Sequence, residues 1–197
     1  MRKKALLIFA FLLLAATPLK AFDILTEVKG GYFYPTDKIF REIYSPNGIY
    51  GMEITTYAWD NYYIWIGADF FTNTGHSIGL EDPTSIYLVP LTFGLKYFYP
   101  VNRDVDLYAG LGFQGTYLKT IDDSPFVAHE VSNWDAGGIV KFGAILNMDK
   151  NFFIDLFTNY SYQKMDFQDT EGGFLEHFKV DLSGFTVGVG IGYRFCN

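Results

Sequence analysis

From residue 22 onward, hydrophobic and polar residues alternate along the chain with a period of two, which is the pattern of a β-strand with two different faces. The clearest run is 184–195. One of its faces is apolar throughout (Phe185, Val187, Val189, Ile191, Tyr193 and Phe195), and the other carries small or polar residues. The alternation predicts eight strands, at residues 24–34, 49–59, 62–72, 86–99, 105–118, 136–147, 152–164 and 182–195.

The lengths of these strands and of their connections indicate a membrane barrel. The strands run for 11 to 14 residues, whereas a strand of a globular protein has about 5–6 and a tilted membrane strand about 9–11. Short turns at 60–61, 100–104 and 148–151 alternate with long polar loops at 35–48, 73–85, 119–135 and 165–181. This asymmetry is typical of outer-membrane barrels, and an even strand number predicts that both termini lie on the short-turn, periplasmic side.

Aromatic residues gather at both ends of the predicted strands, as expected where a barrel meets two headgroup layers. A soluble barrel of the lipocalin kind is the competing interpretation, with its apolar face turned inward around a ligand. The glycine-rich second face, the continuous apolar face and the loop asymmetry favour the membrane. We therefore predict an all-β fold, an eight-stranded antiparallel up-and-down transmembrane β-barrel.

The first 21 residues have the layout of a cleaved secretory signal peptide. Three basic residues precede twelve apolar ones at 5–16, and Ala21 is a small residue at the predicted cleavage point. The apolar run is shorter than the roughly 20 residues that a membrane helix needs. Cleavage removes four of the 15 basic residues and none of the 22 acidic ones, so that the predicted barrel, residues 22–197, has a formal charge of −11.

Composition narrows the function classes further. The chain of 197 residues is one domain's length and is 49% hydrophobic, with 20 Phe and 15 Tyr, which excludes intrinsic disorder. A pI near 4.8 without a basic patch argues against nucleic acid as a partner. The single Cys, Cys196, cannot form an internal disulfide. It could pair with another chain or remain a free thiol, and no cofactor is predicted.

Two segments resemble the small eight-stranded outer-membrane barrel family, the OmpW/OmpA-like group. They are residues 96–112, with KYFYP leading into LYAGLG, and the closing DLSGFTVGVGIGYRF of residues 181–195. The resemblance implies a location in the outer membrane of a didermic bacterium, in contact with its lipid and lipopolysaccharide. It also implies that the barrel-assembly machinery recognises Tyr193 and Phe195 as an assembly signal. In the family the aromatic residue is usually the last one, whereas here Cys196 and Asn197 follow Phe195. A porin-like, narrow channel for small hydrophobic solutes is a further implication.

The polar face of the predicted strands assigns charged residues to the barrel lumen. Eight strands leave an interior that side chains nearly fill, and charges in such a place must be paired. We therefore predict an internal ion-pair network that plugs the barrel, with an ion path or gate as the alternative. Its members are Glu27, Lys29, Glu53, Asp69, Lys96, Lys141, Asp155 and Arg194, with Gln114 beside them.

The long loops carry the remaining candidate chemistry. His76, His129 and His177 lie in three different loops, and nothing in their spacing indicates a metal or catalytic site. Loop 35–48 has an amphipathic pattern that predicts a short helix over the barrel mouth, either a capping mini-core or a lid over a ligand; its apolar residues are Ile39, Phe40, Ile43 and Tyr44. The leading hypothesis is a non-enzymatic surface protein whose loops contact the environment or host surface molecules, and the least favoured is a rim enzyme acting on lipid A.

Overall fold

The protein is described here by a computed structural model that covers residues 23–76, 83–122, 130–169 and 176–196. The predicted signal peptide and His129 lie outside these ranges. The elements in chain order are β1 (Asp23–Pro35), α1 (Lys38–Ile43), β2 (Asn47–Trp59), β3 (Tyr62–His76), β4 (Pro83–Pro100), β5 (Val105–Asp122), β6 (Glu130–Asn147), β7 (Phe152–Tyr162), β8 (Lys164–Asp169), β9 (Glu176–Asp181) and β10 (Gly184–Cys196).

Eight of these strands close into an antiparallel barrel in the order β1-β10-β7-β6-β5-β4-β3-β2. The predicted fold class is confirmed, and each predicted strand overlaps one barrel strand, with ends that differ by at most six residues. Closure is made by β1 and β10, which pair over their whole lengths from Asp23 opposite Cys196 to Pro35 opposite Gly184. No helix in the described ranges is long and apolar enough to cross a bilayer.

The predicted long loops are shorter than expected, because the strands continue into them. In particular, the prediction of a plain loop at residues 165–181 is wrong, because β8 and β9 pair there as a separate two-stranded sheet. Strands β5 and β6 likewise extend to Asp122 and from Glu130. Beyond the apolar band the paired strands continue to hydrogen-bond through their backbones. Because they have water on both sides there, their side chains no longer need to alternate between apolar and polar, and the pattern that predicted the strands disappears.

The outward faces of the strands form an apolar band. Val28, Leu111 and Phe113 are 65%, 69% and 66% exposed, which far exceeds the scattered apolar exposure of a water-soluble protein. Aromatic side chains border the band at both ends. At the short-turn end Trp59 stacks on Tyr62 with ring centroids 5.2 Å apart, and at the long-loop end Tyr50, Trp134 and Tyr162 are exposed. This arrangement is that of a membrane barrel and not of a ligand-carrying soluble barrel.

Two apolar clusters fill the inside of the barrel near its ends. The mouth cluster lies at the long-loop end and consists of Phe33, Phe40, Tyr44, Ile49, Phe71, Ile86, Leu88, Leu118, Met165 and Leu182. The base cluster lies towards the short turns and consists of Leu25, Phe98, Tyr108, Ile145, Phe153 and Phe157. The charged residues of the lumen are therefore held between two apolar layers.

Candidate functional site in the barrel lumen

Glu53 is the centre of the lumen and is only 2% exposed. One of its carboxylate oxygens accepts a hydrogen bond from Lys29 Nζ at 2.8 Å, and the same oxygen accepts one from Lys141 Nζ at 2.5 Å. The other oxygen accepts a hydrogen bond from Lys96. Because β2 and β6 occupy opposite positions in the eight-strand order, the Glu53–Lys141 pair crosses the whole lumen.

Glycine in neighbouring strands makes room for these long side chains. Glu53 lies opposite Gly67 in β3, and Gly110 in β5 lies between Lys96 and Lys141. A Cβ atom added at Gly110 would lie 3.0 Å from Cγ of Lys96. The small residues of the polar face thus have a packing role, because a larger residue would occupy the space through which the lysines reach Glu53.

Aromatic rings complete the environment of the lysines. The Lys96 ammonium lies 4.4 Å from the centre of the Tyr108 ring, and the Lys141 ammonium lies 5.1 Å from the centre of the fully buried Trp65 ring. Cation–π attraction is strongest where the cation is shielded from water, as it is here. The rings therefore offset part of the desolvation cost of the lysines while they fill the lumen.

The other predicted lumen carboxylates lie around this centre. Asp69 Oδ1 is 3.8 Å from Lys29 Nζ, and Asp155 Oδ2 accepts a hydrogen bond of 2.9 Å from the Tyr108 hydroxyl. Glu27 is buried and lies directly opposite Glu53 in the pairing of β1 with β2. Seven of the eight predicted charges are thus brought to the middle of the barrel.

Arg194, in contrast, lies at the short-turn end, apart from Glu53. Its Nη2 is 3.5 Å from Asp106 Oδ2 and its Nε is 3.7 Å from Asp23 Oδ1. Tyr63 joins this group by donating a hydrogen bond of 2.9 Å to Asp23. Without Arg194 the central set contains four acidic side chains (Glu27, Glu53, Asp69 and Asp155) and three lysines, so the acidic side chains outnumber the lysines there by one.

Sequence reasoning missed Asp23 and Asp106 although a signal was present. Asp23 is two residues before Leu25, and Asp106 is two residues before Tyr108. Both Leu25 and Tyr108 point inward, so the period of two would have assigned both aspartates to the lumen. Their positions at the ends of strands obscured the pattern.

A layer of uncharged polar residues lies above the ion pairs. Gln163 Oε1 accepts hydrogen bonds from Thr116 Oγ1 at 2.6 Å and from Gln114 Nε2 at 3.1 Å. Between this layer and the mouth cluster is a cavity of about 40 Å³, which Lys29, Asp69 and several of these polar residues line. A water molecule needs roughly 10–15 Å³ of such volume, so the cavity has room for only a few water molecules.

The predicted helix in loop 35–48 is present as α1 and covers the mouth. Phe40 and Tyr44 are 4% and 7% exposed within the mouth cluster, whereas Ile39 is 56% exposed and is not part of it. Ile43 is partly buried against the same cluster. The Tyr44 hydroxyl and Thr84 Oγ1 are 2.9 Å apart and share a hydrogen bond. One face of a short helix can reach the mouth, which explains why Ile39 points away.

The side chain of Asp37 caps α1 by accepting a hydrogen bond of 2.8 Å from the backbone N–H of Phe40. We expect Asp37→Ala to lower the local stability of α1 by about 1 kcal/mol. The amides of α1 should then exchange their hydrogens about five times faster, which mass spectrometry measures. Asp37→Asn keeps a capping oxygen and serves as the control. Unchanged exchange in Asp37→Ala would show that packing of Phe40 and Tyr44 alone holds the helix.

The remaining candidates are only partly placed. The structure describes the backbone of His76 and His177, in β3 and β9, and His129 lies outside the described residues. Within the described ranges, no three His, Cys, Asp or Glu residues come together as a metal site. Near the end of β10 the Tyr193 ring lies 4.6 Å from the Phe195 ring and 5.1 Å from the Phe152 ring. Tyr193 and Phe195, the predicted assembly signal, thus belong to the aromatic border at the short-turn end.

Comparison with known proteins places this geometry in a class. No protein-family model matches the chain, and no curated protein sequence does. Many solved structures match in fold, and those described below are small outer-membrane barrels. The chain therefore has the fold of the small eight-stranded outer-membrane β-barrels, and the resemblance predicted from the sequence is confirmed.

Particular structures can be named as similar. The outer membrane protein OprG from Pseudomonas aeruginosa matches with a TM-score of 0.66 and 17% identity, over 89% of this chain and 97% of that one. Outer Membrane Protein W of E. coli matches with a TM-score of 0.59 and 18% identity, over 90% and 100%. A major outer membrane protein from Thermus thermophilus matches with a TM-score of 0.57 and 14% identity, over 89% and 99%. At these identities the likeness is one of fold.

Proposed function

We propose that the protein is a non-enzymatic outer-membrane barrel that keeps its own lumen closed and acts through its long-loop end. The observation that carries this proposal is the Glu53 carboxylate, which holds lysines from three strands, one of them directly across the barrel. A path for ions would have to separate these pairs. Each charge left without its partner in such a place costs several kcal/mol.

The layers on either side of the ion pairs support a closed lumen. Above them, Phe40 of α1 and Tyr44, the residue that follows α1, pack into the mouth cluster. Below them, Phe98, Tyr108 and Phe153 pack in the base cluster. Hydrated ions do not pass an apolar constriction of packed side chains readily. The barrel thus opposes conduction by two different physical means, electrostatic in the middle and apolar at the ends.

The apolar band and its two aromatic borders support insertion in the outer membrane, with both termini on the periplasmic side. In this placement the outer-membrane lipid and lipopolysaccharide surround the band, and the barrel-assembly machinery recognises Tyr193 and Phe195 in β10. The extended hairpins then project from the cell. Their described surface is polar, with Lys119 and Glu130 paired at 2.8 Å between β5 and β6, and it is the surface that would contact the environment or host molecules.

We expect the refolded protein to give no stepwise conductance in a planar lipid bilayer under an applied voltage, because the ion pairs of Glu53 and the two apolar clusters fill the described part of the lumen. A trimeric porin in the same bilayer is the positive control, and a heat-modifiable band on a gel verifies that the barrel is folded. Steady conductance steps would contradict the closed barrel. The narrow channel for small hydrophobic solutes is the second candidate, and the apolar mouth cluster is the feature that supports it. Uptake of an apolar dye into liposomes that stops when the mouth is blocked would favour this channel.

A further inference from the structure

A groove interrupts the membrane-facing surface of β5, β6 and β7. Gly138 of β6 lies between Phe113 of β5 and Tyr162 of β7 in the strand pairing. These two neighbours are 66% and 54% exposed. A Cβ atom added at Gly138 would have only one atom within 4 Å, the carbonyl oxygen of Gly112 at 3.9 Å. The row of outward side chains therefore has a gap at Gly138.

The gap continues into a groove of about 360 Å³ with an apolar lining. Its walls are formed by Leu111, Phe113, Val140, Tyr160 and Tyr162. The inward-facing glycines next to charged side chains are crowded; for example, a Cβ atom at Gly190 would lie 2.9 Å from Glu27 Oε2. Gly138 differs because none of the described side chains fills the space beside it, so the groove is open to the surroundings of the barrel.

A cation stands at the end of the groove nearest the long loops. Lys164 begins β8, two residues after Tyr162 at the end of β7, and its Nζ lies 5.7 Å from the centre of the Tyr162 ring. Its side chain is 54% exposed, and its ionic partner among the described residues, Asp181 Oδ2, is at the limiting distance of 4.0 Å. An exposed pair of this kind is worth at most about 1 kcal/mol. The ammonium group therefore retains donors for a second anion.

We propose that this surface binds a phosphorylated lipid of the leaflet at the long-loop end. One acyl chain lies in the groove over Gly138, the rings of Phe113 and Tyr162 pack against it, and the lipid phosphate contacts Lys164. Tyr162 belongs to the aromatic belt, so the boundary between acyl chain and headgroup falls at the height where Lys164 begins. The inference rests on the outer-membrane placement proposed above, which makes lipid A the phosphorylated lipid of that leaflet.

The test is native mass spectrometry of the refolded full-length barrel in detergent, titrated with bisphosphorylated lipid A. We expect one lipid to remain bound. We expect Gly138→Leu, whose Cβ atom has room on the strand and whose side chain would fill the groove, to weaken binding by about tenfold, because the acyl chain loses its van der Waals contacts. Lys164→Gln, at an exposed site, should weaken it by about threefold. Dephosphorylated lipid A should bind the wild type as weakly as bisphosphorylated lipid A binds Lys164→Gln.

Two matched variants separate this site from general lipid binding. Ala144→Leu adds the same side chain to the outward face of β6 outside the groove, and Lys119→Gln removes a long-loop-end lysine that does not border it; both should bind as the wild type does. Equal binding by all variants, or by both forms of lipid A, would overturn the proposal. The binding measurement does not depend on conduction. A barrel that conducts ions and also binds lipid A at Gly138 would therefore refute the closed lumen and leave the lipid site standing.

Discussion

Replacing Glu53 with Gln is expected to lower the free energy of unfolding by about 3–5 kcal/mol, the usual cost of removing one partner from a buried charge pair. The substitution keeps the shape of the side chain and removes its charge. The ammonium groups of Lys29, Lys96 and Lys141, which all contact Glu53, would then be left together in a lumen where these lysines are at most 8% exposed. The measurement is urea-induced unfolding of the barrel in lipid vesicles, followed by tryptophan fluorescence.

The exposed pair of Lys119 and Glu130 is the matched control. Its atoms are 2.8 Å apart, but the side chains are 30% and 54% exposed, and pairs exposed in this way add little to stability because water and salt screen them. Glu130→Gln should therefore change stability little. A second variant, Glu53→Gln with Lys141→Met, should recover part of the loss by removing one unpaired ammonium group. Equal stability of Glu53→Gln and Glu130→Gln would mean that the central ion pairs contribute no more than surface ones.

Trp65→Ala is expected to cost about 3–5 kcal/mol, as large-to-small changes at fully packed aromatic sites do. The Trp65 side chain is 0% exposed, and it occupies the space left by two glycines. A Cβ atom added at Gly94 or Gly112 would lie 2.5 Å or 2.6 Å from its ring. Removal of the indole leaves a cavity beside Lys141 and removes the ring that faces its ammonium group.

The same unfolding measurement tests this prediction, with fluorescence replaced by circular dichroism because the variant lacks one of the three tryptophans that give the signal. Trp65→Phe keeps a ring and should lose about 1–2 kcal/mol, less than Trp65→Ala, since the cost rises with the cavity that remains. Trp134→Ala is the control at an outward, 51% exposed tryptophan. If Trp65→Ala and Trp134→Ala were equally stable, the lumen would have to collapse around the missing ring, and its packing would not be rigid.

The strands could be predicted closely from the sequence because alternation is a local property. A barrel strand with lipid outside and a packed lumen inside must change polarity at every residue. Residues 105–118 and 182–195 show this change almost without interruption, and both match barrel strands. The residues of β8 and β9 could not be predicted in this way. Their hairpin lies beyond the apolar band, where the requirement for alternation no longer holds.

The inward orientation of Glu53, Lys96 and Lys141 also follows from the sequence, since each occupies the polar phase of its strand. Their mutual contact does not. Lys141 and Glu53 are 88 residues apart, and they meet because closure of an eight-stranded barrel brings β6 opposite β2. Arg194 has the same polar phase, yet it lies with Asp23 and Asp106 at the short-turn end. The period of two assigns a side chain to a face and says nothing about its height in the barrel.

The sequence by itself therefore determined the barrel, its strand number, its apolar outer face and the set of polar residues that face inward. Each of these depends on the order of neighbouring residues and on the solvent that each face meets. Only the tertiary structure decided which charges pair, how the mouth and base clusters enclose them, and that Gly138 leaves a groove in the membrane-facing surface. These features depend on the register and closure of strands distant in the chain, which set the distances between side chains.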